Sequence, residues 1–209
     1  KKNVSIVSDN FTLSGEEVKI YFDKDLYDIV SIFANGSVKL NAGAYKITSS
    51  GEIMNINIVS EEITVEGIKS KLYLENVKMF SDEKIKVNNL SGAFEIIGIN
   101  SILNSEAIYI KGQNIDGIFS TTEPKEIIKL NVKDNEISNI KTDDLDMYAK
   151  KAIYNKSTSI IELFEDVKII RESEIISGDY GTLDTEKNSY KVRSNNSNKV
   201  KAIITNSDE

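Results

Sequence analysis

The sequence contains no cysteine, no histidine and no tryptophan, and it has a single proline among 209 residues. Without cysteine there can be no disulfide framework and no thiolate zinc site. Without histidine, the commonest general base and the commonest metal ligand are both missing. Catalysis by carboxylates alone remains possible, so these absences weigh against an enzyme without excluding one. We expect a non-catalytic protein with no metal and no cofactor.

Charge is plentiful but mixed in sign, since acidic and basic residues are interleaved along the chain and the net charge is −7. A nucleic-acid-binding domain would normally be basic, with Lys and Arg clustered on one face, so we expect no nucleic-acid partner. No apolar run approaches the roughly 18 residues that a membrane-spanning helix needs. The polar start at Lys1 and Lys2 fits a mature chain as well as one trimmed of an N-terminal anchor.

The dominant pattern is an alternation of apolar and polar residues. Ile128, Leu130 and Val132 alternate with polar residues, and shorter stretches near positions 56, 63, 108 and 202 do the same. Alternation over short stretches rich in Ile, Val and Tyr predicts half-buried strands, and hence an all-β fold. Turn-forming groups recur about every 8 to 12 residues, as in a sandwich, barrel or roll. They are Asn35-Gly36, Ser50-Gly51, Asp82-Glu83, Ser91-Gly92, Lys111-Gly112, Asp134-Asn135, residues 186–188 and Asn195-Asn196.

One segment occurs more than once. Residues 71–79 (KLYLENVKM) align without a gap with residues 161–169 (IELFEDVKI), and residues 33–40 (FANGSVKL) form a weaker third copy. Each copy places turn-prone residues before Val-Lys and an aliphatic residue, so we interpret it as a hairpin. Repeated hairpins stacked on their neighbours form an elongated structure with a continuous core. We expect one domain over residues 1–209, with repeats at about 29–56, 60–93 and 145–193.

The polar clusters of the chain are interpreted as turns rather than sites. Residues 143–146 (DDLD) lack the central Gly and the distant Glu of a calcium-binding loop. Residues 178–181 (GDYG) lack the length and the Lys of a phosphate-binding loop, and we expect a strand-ending turn with a buried Tyr180. Pro124 predicts a loop or a sheet edge at residues 120–124. The stretch 145–153 fits a helix or a strand, and its neighbours favour the strand.

Three consecutive segments of the chain resemble a known family. Residues 146–155 (DMYAKKAIYN), 161–169 and 173–184 (SEIISGDYGTLD) resemble the OstA-like periplasmic lipopolysaccharide-transport family of LptA and LptC. The positions that match its pattern are Ala149, Ala152, Tyr154, Val167, Ile169, Asp179 and Tyr180. Asp166 departs from that pattern, because the family usually has Gly or Asn at this position.

The resemblance implies an elongated antiparallel β-jelly roll, U-shaped or taco-like in section and open at both ends. Lipopolysaccharide acyl chains would lie between its sheet faces and be passed across the periplasm toward the outer membrane. A tether to the inner membrane outside this chain is left open. Unpaired end strands near residues 4–11 and 199–205 would join other OstA-like domains, as a homo-oligomer or a transport complex. The lipid-binding groove would consist of Phe33, Val38, Ile56, Ile58, Tyr73, Val77, Met79, Leu163, Val167, Ile169 and Ile175.

Two other classes of protein stay open. A structural or adhesive β-repeat (solenoid) surface protein would share the alternation and the repeats but would close its core completely. A carboxylate-dependent glycosidase would need two carboxyl groups facing each other across a cleft. The adjacent pairs Glu16-Glu17 and Glu61-Glu62 cannot supply them alone, because neighbours on a strand point to opposite faces.

Overall fold

The computed structural model describes residues 3–194 and 199–204. In this part of the chain no helix is long and apolar enough to cross a membrane, and the single helical element is a 3-10 turn at Gly43–Tyr45. The strands are β1 (Val4–Val7), β2 (Thr12–Gly15), β3 (Glu17–Phe22), β4 (Ile29–Ala42), β5 (Ile47–Asn57), β6 (Glu62–Glu66), β7 (Ser70–Leu74), β8 (Val77–Ser81), β9 (Lys84–Asn88), β10 (Ala93–Ser105), β11 (Tyr109–Phe119), β12 (Ile127–Lys141), β13 (Asp146–Asn155), β14 (Ile160–Arg171), β15 (Glu174–Asp184), β16 (Ser189–Arg193) and β17 (Lys201–Ile204). The predicted all-β class is confirmed.

These strands form one antiparallel sheet in which most neighbours in space are neighbours in sequence. From β10 to β15, each strand pairs with the next. Elsewhere two short strands take the place of one long strand. Strands β6 and β7 both pair with β5, and β8 and β9 both pair with β10. At the two ends, β2 and β3 share β4, while β16 and β17 share β15.

Every long strand is interrupted near its middle, and the interruptions line up across the sheet. The register shifts lie between Asn35 and Val38 in β4, between Ile97 and Ser101 in β10, and at equivalent places in β12 and β14. We call this line the crease, because the sheet folds along it into two layers that enclose the core. This arrangement is the predicted antiparallel jelly roll.

The two layers are defined by the strand segments on each side of the crease. Layer 1 consists of β1, β2, β7, β8, β17 and residues 38–42, 47–51, 101–105, 109–112, 138–141, 146–149, 167–171 and 174–178. Layer 2 consists of β3, β6, β9, β16 and residues 29–35, 53–57, 93–97, 114–119, 127–133, 151–155, 160–164 and 180–184. Turns and loops of both layers therefore meet along the side opposite the crease, which we call the margin.

The hairpin interpretation of the repeat is correct for one copy and wrong for two. Residues 71–79 form the β7–β8 hairpin, with Leu74 opposite Val77. Residues 33–40 and 161–169 each lie in one continuous strand that bends at the crease. At these bends Gly36 and Ser37 have φ of 80° and 50°, and Glu165 and Asp166 have φ of 62° and 54°. A bend and a tight turn need the same left-handed backbone, so the same residues serve both.

The other predicted turns are likewise either bends within a strand or connections between two strands. Ser50-Gly51, Lys111-Gly112 and Asp134-Asn135 lie inside strands at the crease, and Asp82-Glu83 separates β8 from β9 there. Ser91-Gly92 and residues 186–188 connect strands, as predicted. The pair Asn195-Asn196 lies outside the described residues.

Four local predictions have clear outcomes. Residues 120–124 lie in the β11–β12 loop, as predicted. The predicted turn at 143–146 is the β12–β13 loop except for Asp146, which begins β13, and the predicted strand at 145–153 lies in β13 except for Leu145. Residues 178–181 do not end a strand, because they lie within β15. Tyr180 is only half-buried on the outer face, where its hydroxyl donates to Glu162 Oε1 at 2.6 Å. This hydrogen bond is the main reason why the pKa of Tyr180 is raised.

Candidate functional site

An apolar interior runs the length of the fold between the two layers. In the middle of the sheet its side chains are fully buried, as in Val65, Ile96 and Leu163, each 0% exposed. Toward the ends the inward-facing residues emerge, since Val4 is 40% and Ile204 is 68% exposed. The core is therefore uncapped at both ends of the sheet.

The sequence-predicted groove residues fall into two groups. Six are buried in this interior, each at most 1% exposed, and they are Val38, Val77, Met79, Leu163, Val167 and Ile169. Ile56 is half-buried and packs against the same core. The interior orientation predicted for these seven agrees with the structure.

The remaining four groove residues do not line the interior. Phe33 lies on the outer face between buried Ile32 and Ala34, with the Lys19 ammonium 5.5 Å from its ring centroid. Tyr73 also faces outward, where it packs edge-on against Phe80.

Ile175 and Ile58 also do not line the interior, each for a different reason. Ile175 pairs with the outward Ile170, because its neighbour Ile176 takes the inward position opposite Ile169. Ile58 follows the last residue of β5 and is 45% exposed. Alternation assigns a residue to a face only after the strand's ends and phase are known.

A cleft of about 440 Å³ opens between the layers along the margin. Such a volume lies within the range of about 300–1,000 Å³ that ligand pockets occupy. Its floor is apolar and belongs to the core or packs against it, formed by Ile108, Ile127, Leu130, Tyr154 and Ile161. Its rim is polar and comes from turns of both layers, with Asn76, Glu106, Thr142, Lys125, Lys156 and Thr185. The cleft thus connects solvent with the apolar interior from the side.

Two lysines lie on the layer 2 rim of the cleft. The Lys156 ammonium pairs with Glu126, and this hydrogen bond is the main reason why the pKa of Lys156 is raised. Lys125 is 7% exposed, and its ammonium lies 3.3 Å from Asn89 Oδ1 and 3.4 Å from Glu123 Oε1. Both cations therefore have polar partners within layer 2.

Contacts between the layers close the margin on either side of the cleft. On one side Asn76 of the β7–β8 turn binds the backbone of Lys125 in both directions, at 2.9 and 3.1 Å. On the other side Asn188 accepts from Arg171 and donates to Asp144 Oδ2 at 3.1 Å. The cleft is therefore a bounded opening rather than a continuous slit.

The cleft was not predicted from the sequence. Its floor residues have the alternation expected of core strands, and nothing local distinguishes them from residues that stay covered. The available signal was the long loop around Pro124, since most other connections between strands are short. A second depression, of about 350 Å³, lies on the outer face of layer 1. Most of its lining residues are Ser, Thr, Asn or Lys, including Thr12, Lys39 and Asn41.

Comparisons with known proteins agree with this geometry. A family model described as LptA/(LptD N-terminal domain) LPS transport protein matches residues 1–189. A search of curated proteins finds no match. Among solved structures, the chain is similar to LptH, the LptA homologous periplasmic component of the conserved lipopolysaccharide transport device from Pseudomonas aeruginosa. The TM-score is 0.50 at 11% identity, over 62% of this chain and 95% of the LptH chain. At that identity the likeness concerns the fold.

Proposed function

This chain belongs to the family of lipopolysaccharide transport proteins that comprises LptA and the N-terminal domain of LptD, and we propose that it carries lipopolysaccharide through the periplasm. The family is one of transport proteins and not of enzymes. In the proposal, the acyl chains lie between the two layers, and the saccharide stays outside in solvent. The whole described sheet acts as one domain, because a single core runs through it.

The observation that carries this proposal is an apolar interior that reaches solvent at both ends and through the cleft. Shielding a hydrocarbon chain from water is worth about 0.8 kcal/mol per methylene. Leu130 and Ile161 on the cleft floor are continuous with buried residues such as Leu163. An acyl chain that enters at the cleft or at an end therefore meets apolar side chains, and it advances by displacing the packed side chains of the core, which are 0% exposed in the middle of the sheet.

The chemistry of the interior also supports movement along it. Its buried hydroxyls lie near the crease, and they already have backbone partners: Ser49, Ser70, Ser81, Ser101 and Ser138. The rest of the interior is nearly all aliphatic or aromatic. These paired hydroxyls cannot hold a ligand at one place, and Ser194 Oγ just after β16 is a buried hydroxyl that has no partner among the described residues. Along the aliphatic stretches of the interior, affinity therefore varies little from site to site. Such a surface favours transfer over storage.

In this proposal the partners are lipopolysaccharide and another OstA-like domain, joined end to end. Strand directions alternate along each layer. Layer 2 has an even number of strand segments, so β3 and β16 at its ends run in opposite directions. Layer 1 has an odd number, so β1 and β17 run in the same direction. In a head-to-tail stack, β16 of one copy would thus continue the antiparallel ladder with β3 of the next.

Side chains at these two edges are complementary. Val18 of β3 and Val192 of β16 face the interior, so pairing would extend the apolar track across the junction. On the outer face Glu17 would meet Lys191 or Arg193, all of which are exposed in the single chain. Head-to-tail contacts of this kind build open filaments rather than closed dimers.

Photo-crosslinking to lipopolysaccharide tests the proposal. A photoreactive residue at Leu130 or Val167 faces the interior, whereas the same residue at Lys129 or Lys168 faces outward on the same strands. Adducts at the inward pair alone are the expected result. Equal yields at all four positions, or none at any, would reject the lipid track in favour of the closed structural repeat.

A further inference from the structure

We propose that the cleft is a side entrance for a single hydrocarbon chain, and that the β11–β12 loop is a gate that Asn76 holds in its narrow position. This inference rests on the proposed function, because it concerns how the same interior is loaded. The inference goes beyond the proposed function because it assigns a lateral route into the interior, one loop that moves and one residue that latches this loop. We call residues 120–126 the margin loop.

The margin loop is built to move as a unit. Its base is closed by hydrogen bonds between its ends: the Ser120 N–H donates to Glu126 O at 2.8 Å, and the Glu126 N–H donates to Ser120 Oγ at 2.9 Å. The Lys125 ammonium is anchored to Asn89 and Glu123, also in layer 2. The loop can therefore swing away from layer 1 while the β11–β12 ladder and its own base stay intact.

The latch is the side-chain amide of Asn76. Its Nδ2 donates to Lys125 O at 2.9 Å, and its Oδ1 accepts from the Lys125 N–H at 3.1 Å. The amide thus bonds the loop as a neighbouring strand would. Among residues 3–194, these are the two described hydrogen bonds that join the margin loop to layer 1. Since the bonded groups are neutral, the latch opens at modest cost.

The position of the latch makes it relevant to loading. Pro124, Lys125 and Asn76 all line the cleft, so the loop forms one wall of the opening. If the loop moves outward, that wall is lost, and the opening above the apolar floor at Ile127 and Leu130 widens enough for a hydrocarbon chain to enter from the side. At the other boundary, the contacts of Asn188 with Arg171 and Asp144 still hold the two layers together. The opening is therefore local and admits one chain at a time.

The first test removes the latch and follows the kinetics of a probe. The probe is cis-parinaric acid, a fluorescent 18-carbon fatty acid, mixed with the full chain by stopped flow. Asn76→Ala should raise both the entry and the exit rate about tenfold, as expected for the loss of two hydrogen bonds. The dissociation constant should change much less, because a gate alters both rates together. Asn57→Ala is the control, since Asn57 accepts from Ser60 N within one turn of layer 2.

The second test locks the gate. The chain has no cysteine, so Asn76→Cys with Lys125→Cys gives a unique pair for a short bis-maleimide cross-link. The unlinked double variant should load quickly, and the cross-linked form should load at least about tenfold more slowly. A matched control pair is Lys46→Cys with Glu75→Cys, whose native side chains are in contact but both lie in turns of layer 1.

The outcomes separate the gate from the proposed function. If the wild type and all variants bind the probe at equal rates, chains enter by another route and the gate is rejected. If a cross-link across the margin leaves the rate unchanged, the gate is rejected as well. If the wild type and the variants alike bind neither the probe nor lipopolysaccharide, the proposed function itself fails.

Discussion

The crease depends on single residues that replace lost ladder hydrogen bonds. Ser81 donates to Ile97 O and accepts from the backbone N–H groups of Glu83 and Lys84, at 2.9 and 3.1 Å. Ser138, which is fully buried, donates to Ala149 O at 2.6 Å. A buried hydroxyl or carbonyl is costly unless it is bonded. These small polar residues therefore allow each strand to bend without leaving orphaned backbone groups.

Ser138→Ala tests this role. The variant keeps the size of the side chain close to that of serine but leaves Ala149 O without its partner, so the free energy of unfolding should fall by about 1–2 kcal/mol. Ser189→Ala, at an exposed position of β16, should change it by less than about 0.5 kcal/mol. Urea denaturation measures both. Equal effects from the two variants would contradict the assigned role of Ser138.

Neighbouring residues of β14 should respond very differently to the same charge. Val167 is 1% exposed, so Val167→Asp would bury an unpaired carboxylate or force its protonation and should cost several kcal/mol. Lys168 faces outward with its ammonium 5.5 Å from the ring centroid of Tyr148. Lys168→Asp should cost only about 0.5–1 kcal/mol, the typical value of an exposed cation–π contact. Thermal unfolding with the order reversed would overturn the assignment of the faces.

Among the elements, the bent strand is the defining unit of this fold. Gly98 in β10 shows why the bend constrains the sequence, since its φ is 145° and an added Cβ would lie 2.1 Å from Asp82 Oδ1. Gly98→Ala should therefore destabilise the protein by about 1–3 kcal/mol through backbone strain and crowding. Gly43→Ala, where the nearest atom would be 3.9 Å away, is the control. Denaturant midpoints that coincide for the two variants would contradict this account of the crease.

The sequence predicts strands better than it predicts bends or faces. Alternation is a local property, so β12 could be identified from residues such as Leu130 and Val132. A bend and a hairpin use the same left-handed residues, so the sequence predicts a turn at Asn35-Gly36, where the structure has a bend within β4. Phe33 belongs to the predicted groove, yet the inward position belongs to the smaller Ala34. The latch joins positions 76 and 125, which no local pattern connects.

At the scale of the whole molecule, the two layers should differ in their contribution to end-to-end assembly. Val192→Pro in β16 removes an N–H that points away from β15, toward the edge that continues the antiparallel ladder, so it should abolish head-to-tail association. Ile203→Pro in β17 affects the parallel edge and should weaken association less. Both variants should stay folded, because each change lies in a short edge strand. Light scattering at high concentration, with circular dichroism as the folding control, measures these effects.

A wild-type chain that remains strictly monomeric at high concentration, and that cross-links to no other OstA-like domain, would contradict end-to-end pairing. Equal losses of association in the two proline variants would contradict the preference for layer 2. Either result would leave the lipid track untouched, because the interior of a single chain does not depend on the junction.

The central claim is that the interior binds the acyl chains of lipopolysaccharide and not its sugars. Native mass spectrometry of the full chain, mixed in turn with lipid A and with the polysaccharide released from it by mild acid, tests this most directly. The account predicts a complex with lipid A and none with the acyl-free polysaccharide, because binding energy comes from apolar burial. Binding of the polysaccharide with no binding of lipid A would contradict it.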